Sequence, residues 1–147
     1  MRAVRREGTS AELLLQRAMR KARLRFQVNA SDLPGSPDVV MASSRLAIFV
    51  DGDFWHGRVL LEGGPKGLRQ SLRSRSKAFW IDKITRNVAR DREQGARLRA
   101  LGWRVIRLWE KDLLDDVSRA VYSIKCHIRK KRTGRRGKAS GLRIHER

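Results

Sequence analysis

A single cysteine, Cys126, is the only thiol in the chain, so an intramolecular disulfide and any site built on two thiolates are both excluded. Acidic residues are also scarce. Fifteen Asp and Glu face 35 Lys and Arg, giving a formal net charge of +20 and a pI near 11.7, which points to a polyanionic partner. No apolar run reaches the length of a membrane span and no secretory-type start is recognisable, so nucleic acid is the expected partner ahead of an anionic membrane. The expected setting is cytoplasmic, nucleoid-associated when active, with no membrane role and a monomeric chain. Aromatics make up only 6% of residues, yet four tryptophans (Trp55, Trp80, Trp103 and Trp109) crowd the central part of the chain, where a small core is expected.

Its 147 residues suit one domain and are too few for two by default. Residues 1–8 read as a basic arm, 9–125 as the folded domain, and 126–147 as a basic, disordered tail. That tail carries nine Lys or Arg against one Glu, so the remaining chain is still at +12. Thr9 followed by Glu12 is a capping-box spacing, and Leu13, Leu14 and Ala18 against Arg17, Arg20 and Lys21 predict a helix over Ser10–Arg23. Leu24–Val28 suits a short strand, and Asn29–Pro37 is rich in turn residues. Asp38–Met41 and Leu46–Val50 predict a hairpin whose second strand is apolar enough to be covered on both faces. Glycines at 57, 63, 64 and 67 with Pro65 predict one long loop from Gly52 to Ala78. A helix over Lys77–Leu101 ending at Gly102, a strand over Trp103–Trp109 and a last helix reaching Ile128 complete an α/β sandwich around a small mixed sheet, with Trp80, Trp103 and Trp109 in its core.

The residues suited to chemistry gather around the hairpin. Cutting a phosphodiester calls for a divalent cation to stabilise phosphate charge and a base to generate the attacking hydroxide. Magnesium is satisfied by one or two carboxylates plus water and substrate oxygens, so a sparse acidic strand edge is adequate. With the turn at residues 42–45, Asp38 meets the Val50–Asp51 segment at one end of the hairpin, the expected metal end. His56, a few residues on, is placed to take a proton from water, with Asp91 on the long helix to orient its other nitrogen. Glu12 on the first helix is a further candidate acid for holding water at the metal. Plainer readings stand beside these: Glu12 as the capping acid, Asp91 paired with Arg86 or Arg90, Asp51 as a turn former, and Phe54 and Trp55 as core aromatics.

Leu33-Pro34-Gly35-Ser36-Pro37-Asp38, Phe49-Val50-Asp51-Gly52-Asp53-Phe54-Trp55-His56-Gly57, Phe79-Trp80 through Asn87 to Arg90-Asp91, and Gly102-Trp103-Arg104-Val105 recur in one order over residues 9–113. This series resembles the very-short-patch mismatch-repair (Vsr-type) DNA endonucleases. The resemblance implies a restriction-endonuclease-like three-layer α/β/α fold and a Mg2+-dependent nick beside the thymine of a T:G mismatch in double-stranded DNA. It implies a metal carboxylate at Asp38, a metal-binding main-chain carbonyl at Val50, a catalytic histidine at His56, and helix acids at Glu12 and Asp91. Asp51 joins them as an active-site acid, and Phe54 and Trp55 match an aromatic wedge that enters the base stack, which costs least at a mispair. Phosphate contacts are expected from Arg2, Arg73, Arg75 and Lys77.

Two departures accompany the resemblance. The family's structural zinc site falls on Asp53, Arg58 and Lys111, which lack its ligands, so no structural zinc is expected. Family chains also carry further residues ahead of the segment matching Met1–Glu7, which implies an internal start or a shortened arm. The competing readings are a same-fold nuclease that restricts modified or foreign duplex DNA, and a basic DNA-binding module whose nuclease site has decayed.

Overall fold

The computed structural model describes residues 8–72 and 75–133. Residues 1–7 of the arm, with Arg2, as well as Arg73 and the chain beyond Thr133, lie outside the described residues.

Helix α1 spans Ser10–Lys21 and starts at Thr9, whose hydroxyl accepts the Glu12 N–H at 3.3 Å. The Glu12 carboxylate reaches back to the Gly8 N–H at 2.8 Å, so the expected capping acid is in place, one residue earlier than in the usual reciprocal box. The buried stripe of α1 is Ala11, Leu15 and Met19, at i, i+4 spacing, whereas Leu13 is exposed. The helix stops two residues short of Arg23, which adopts a left-handed φ of 57°.

Four strands follow: β1 (Gln27–Val28), β2 (Val39–Met41), β3 (Leu46–Asp51) and β4 (Arg104–Trp109), ordered β1-β2-β3-β4. The first three pair antiparallel and β3 pairs parallel with β4. The hairpin is real, although its turn is a 3-10 segment, Ala42–Ser44, closed by Arg45 at φ 48°. Val39 opposite Ile48 sets a register that carries Asp38 to the open end of β3.

Side-chain alternation sends the two faces of β3 into different layers. Leu46 and Ile48 pack with Ala11, Leu15 and Met19 of α1 and with Ile124 of α5 (Val117–Thr133). Ala47 and Phe49 turn the other way, to Leu98 of α3 (Lys77–Ala100). The result is the expected three-layer α/β/α arrangement around a mixed sheet. Each fully buried Leu, Ile or Met in these layers contributes about 1.5–3 kcal/mol.

Two expectations need correction. Residues 52–78 are not one long loop, because α2 occupies Arg58–Ser71. It is broken at Gly64 (φ 68°, ψ −177°), and Pro65 then opens the second half, where a missing N–H costs nothing. Its Leu60, Leu61 and Leu68, with Leu72 just beyond, pack on Ile84 and Val88 of α3 as a separate small cluster. The second correction is at the far end. Helix α5 continues to Thr133, so residues 126–133 extend the domain, and Ile128 packs against the main core.

Candidate active site

Strand β3 ends where β2 has already stopped, leaving the N–H of Val50 without a ladder partner. The carboxylate of Asp38 takes its place, with Oδ2 accepting the Val50 N–H at 2.7 Å. In an antiparallel pair the N–H and C=O of one residue leave the strand on the same edge, so the Val50 carbonyl is directed to the Asp38 side too. Asp38 is only 9% exposed. This is an all-oxygen donor set at a strand edge, chemically matched to a hard divalent cation.

A second group lies on the α3 face. His56 Nδ1 is 2.6 Å from Asp91 Oδ2 and 3.6 Å from Asp51 Oδ1. Asp91 comes from the middle of α3, and Asp51 from the end of β3. Arg107 of β4 completes the group: its Nη1 donates to Asp51 at 3.0 and 3.1 Å and stands 3.6 Å from Asp91 Oδ1, while its Nη2 donates to the Asp91 main-chain oxygen at 3.3 Å. Its guanidinium also covers the Phe49 ring at 4.2 Å, which is how a charge is accommodated on this buried face. Asp51, His56 and Asp91 could each offer one ligand atom within 4.8 Å of the others. The guanidinium between the two carboxylates opposes a divalent cation there; the oxygens of Asp38 and Val50 are a second set that could hold one.

An ionised carboxylate only accepts, so the proton on His56 sits on Nδ1 and Nε2 is the free acceptor. Burial lowers the histidine pKa, but the hydrogen bond to Asp91 and the charges of Asp51 and Asp91 outweigh it against Arg107's opposing charge, and the net shift is upward. Asp51 is raised too: burial is the largest cause and Asp91 adds to it, while Arg107 and His56 hold it down.

The turn that carries His56 is seated by α3. Asn87 Nδ2 donates to the Trp55 carbonyl at 3.0 Å, and Gly57 sits at φ 71° where an added Cβ would stand 2.7 Å from Val88 and 2.8 Å from Ile84. Phe54 and Trp55 are 46% and 41% exposed, too open for core aromatics. Their rings meet edge-on at 5.1 Å, and each lies 5.6 Å from Trp80. Lys83 Nζ stands 5.1 Å over Trp55 and 5.8 Å over Trp80. Trp80 packs on the small α2–α3 cluster rather than on the main core, and from there supports this pair; Trp109 is buried, and Trp103 packs on the α3-side core under Arg45.

Glu12 is buried at the start of α1 and is engaged with Gly8; among the described contacts it touches none of Asp38, Asp51, His56 and Asp91. Arg75 is exposed and Lys77 half-buried, both just ahead of the aromatic group. The sequence assigned no role to Arg107, nor to Lys83 and Asn87, which stand within the Phe79–Asp91 motif. Arg107 had one signal: with Arg104 it is one of two cations in a strand whose other residues are apolar.

The fold and the residues gathered at its strand ends define a DNA endonuclease, a hydrolase whose chemistry calls for a divalent cation. The family model for DNA mismatch endonuclease Vsr matches residues 1–61. A type II nicking enzyme of Neisseria meningitidis serogroup C is 34% identical over 89% of this chain and 84% of its own. Another, from Xanthomonas oryzae pv. oryzae, is 38% identical over 78% and 79%. The DNA mismatch endonuclease Vsr of Escherichia coli K12 is 38% identical over 75% of this chain and 66% of its own. The chain belongs to the Vsr family of DNA endonucleases. Among the described residues no helix is long and apolar enough to cross a membrane.

Proposed function

We propose that this endonuclease nicks one strand of duplex DNA beside the thymine of a T:G mismatch, with Mg2+ as its cation. The observation that carries the catalytic part is the 2.6 Å bond between His56 Nδ1 and Asp91, which leaves Nε2 as the acceptor. Asp38 and the Val50 carbonyl hold the cation, which supplies charge stabilisation at the scissile phosphate. His56 takes the proton from the attacking water through Nε2. Asp91 fixes the ring's tautomer and orientation, and Asp51, held by Arg107, adds a second negative charge that favours the imidazolium formed when the proton arrives. Glu12, on α1, is the further acid, for holding water at the cation.

Phe54 and Trp55, backed by Trp80, test the base stack. Unstacking costs a few kcal/mol and least at a mispair, so a wedge ahead of the cutting site favours mismatched steps. Arg75 and Lys77 add phosphate contacts, which raise affinity without reading sequence. The names of several relatives favour single-strand nicking over double-strand restriction.

The test is cleavage of matched, T:G and methylated duplexes with Mg2+, resolved strand by strand. Nicking confined to the thymine strand of the T:G duplex is expected. Double-strand cutting of intact duplex would replace this reading with restriction. Binding without cleavage by both wild type and Asp38→Ala would leave a DNA-binding module. His56→Ala is expected to lose at least about 10²-fold in turnover with binding retained, the scale of a lost general base.

A further inference from the structure

The Gly52–Gly57 turn is attached to the body of the protein on two sides. Asn87 and the packing at Gly57 hold it to α3. The other side faces α4 (Glu110–Asp115), where the residues matching the family's zinc position stand. Their donor set does not fit a zinc ion. Arg58 Nη1 donates to Asp53 Oδ2 at 2.9 Å and to Asp112 Oδ1 at 2.8 Å, and Arg58 Nε donates to Glu62 at 2.9 Å. The other Asp53 oxygen accepts the main-chain N–H of Lys111 at 3.1 Å. A guanidinium thus fills the space between the carboxylates, and it would repel a divalent cation placed there. Cys126, the one cysteine, lies on α5.

The contacts form a closed circuit. Asp53 binds the first turn of α4 through Lys111 N–H and binds Arg58 across the turn. Arg58 returns to α4 through Asp112, and its guanidinium lies 5.5 Å from the Trp109 ring centroid. Asp53 and Lys111 are 58 residues apart, so the circuit ties the turn to β4 and α4 rather than stiffening it locally. A planar fork with five donors serves the three carboxylates from fixed directions and at separate nitrogens, whereas an ammonium is a compact point charge with three rotatable donors.

We propose that Asp53, Arg58 and Asp112 form a metal-independent charge clip that sets the Gly52–Gly57 turn, and with it His56 and Phe54–Trp55, against the start of α4. Arg58 and Asp53 act here as positioning residues. The turnover part of the test rests on the proposed role of His56; the metal and melting parts do not.

The test uses the full chain. Zinc content and thermal melting are measured with and without EDTA, and turnover on saturating T:G duplex with Mg2+ is measured for wild type, Arg58→Ala, Arg58→Lys and Asp112→Asn. The wild type is expected to hold no stoichiometric zinc and to melt at the same temperature with EDTA. Arg58→Ala is expected to melt roughly 3–6 °C lower and to turn over at least tenfold more slowly, with Arg58→Lys recovering part of both. Raising KCl should lower the wild-type melting temperature more than that of Arg58→Ala, because screening weakens the ion pairs only where they exist. Should Arg58→Ala fail to fold, Asp112→Asn decides, since it removes one half-exposed arm and is expected to give smaller losses in the same direction. One equivalent of zinc whose removal lowers the melting temperature would overturn the clip, as would Arg58 and Asp112 variants indistinguishable from wild type. If His56→Ala leaves turnover unchanged, the catalytic reading fails while the zinc and melting results still judge the clip.

Discussion

Arg107 Nη1 bonds both carboxylate oxygens of Asp51 across parallel strands β3 and β4, at 3.0 and 3.1 Å, with the Asp51 and Arg107 side chains only 3% and 6% exposed. The register puts Arg107 beside Phe49, so its guanidinium lies over that ring and reaches along the strand to Asp51. Two charges buried this deeply gain little as a pair, but each is costly alone.

Removing one partner is therefore expected to do more harm than removing both. Arg107→Met should destabilise the fold by about 3–5 kcal/mol, the scale of an uncompensated buried charge, while Arg107→Met combined with Asp51→Leu should recover most of that loss. Urea denaturation of the two singles and the double checks this. A double variant no more stable than Arg107→Met would show that the pair's charge is not the cause.

The acidic limb of the pH–rate profile should belong to His56. The base works only when neutral, and its pKa is raised above the ordinary 6.5, so cleavage should fall as pH drops through a value higher than an isolated histidine would give. Asp91→Asn removes a carboxylate that raises this pKa and leaves burial and Arg107 pressing it down. The limb should then move to lower pH, with a slower rate throughout because ring orientation is lost. A limb that stays in place in Asp91→Asn would assign it to another group.

Glu12 has two readings that one pair of substitutions separates. Glutamine keeps an oxygen for the Gly8 N–H, so Glu12→Gln should melt like wild type, whereas Glu12→Ala should lose about 1 kcal/mol with the cap. If Glu12 also serves the reaction, Glu12→Gln lowers kcat despite normal melting. Unchanged kcat would leave it a capping residue alone.

Gly57→Ala should be disproportionately damaging for one methyl group. The left-handed backbone costs roughly 1–2 kcal/mol for any L side chain. The new Cβ would also press on Val88 and Ile84, the α3 residues against which the His56 turn rests. Reduced melting temperature together with a loss in kcat is expected. Normal kcat in a folded Gly57→Ala chain would mean that the turn does not position His56.

Much of the layout was legible locally. An apolar run such as Leu46–Val50 and the long helix ending at Gly102 report short-range preferences and burial, which sequence periodicity encodes directly. Asp38 at the hairpin's open end followed from strand pairing, because register is set by the turn and by which faces must be buried. Helix α2 was hidden because its breaker, Gly63-Gly64-Pro65, is part of the element: Gly64 ends one half and Pro65 starts the other. Its leucines gain burial only against α3, a tertiary partner that local propensity does not contain.

The sequence by itself determined the layers, the basic surface, and the placement of Asp51, Asp53 and His56 within a few residues of one another. Only the tertiary structure decided what each of them faces. Arg107 lies 56 residues beyond Asp51, and Lys111 lies 58 beyond Asp53. An ion pair or hydrogen bond acts over a few ångströms, so such partners are selected by strand register and helix docking after the chain has folded, whatever their separation along it.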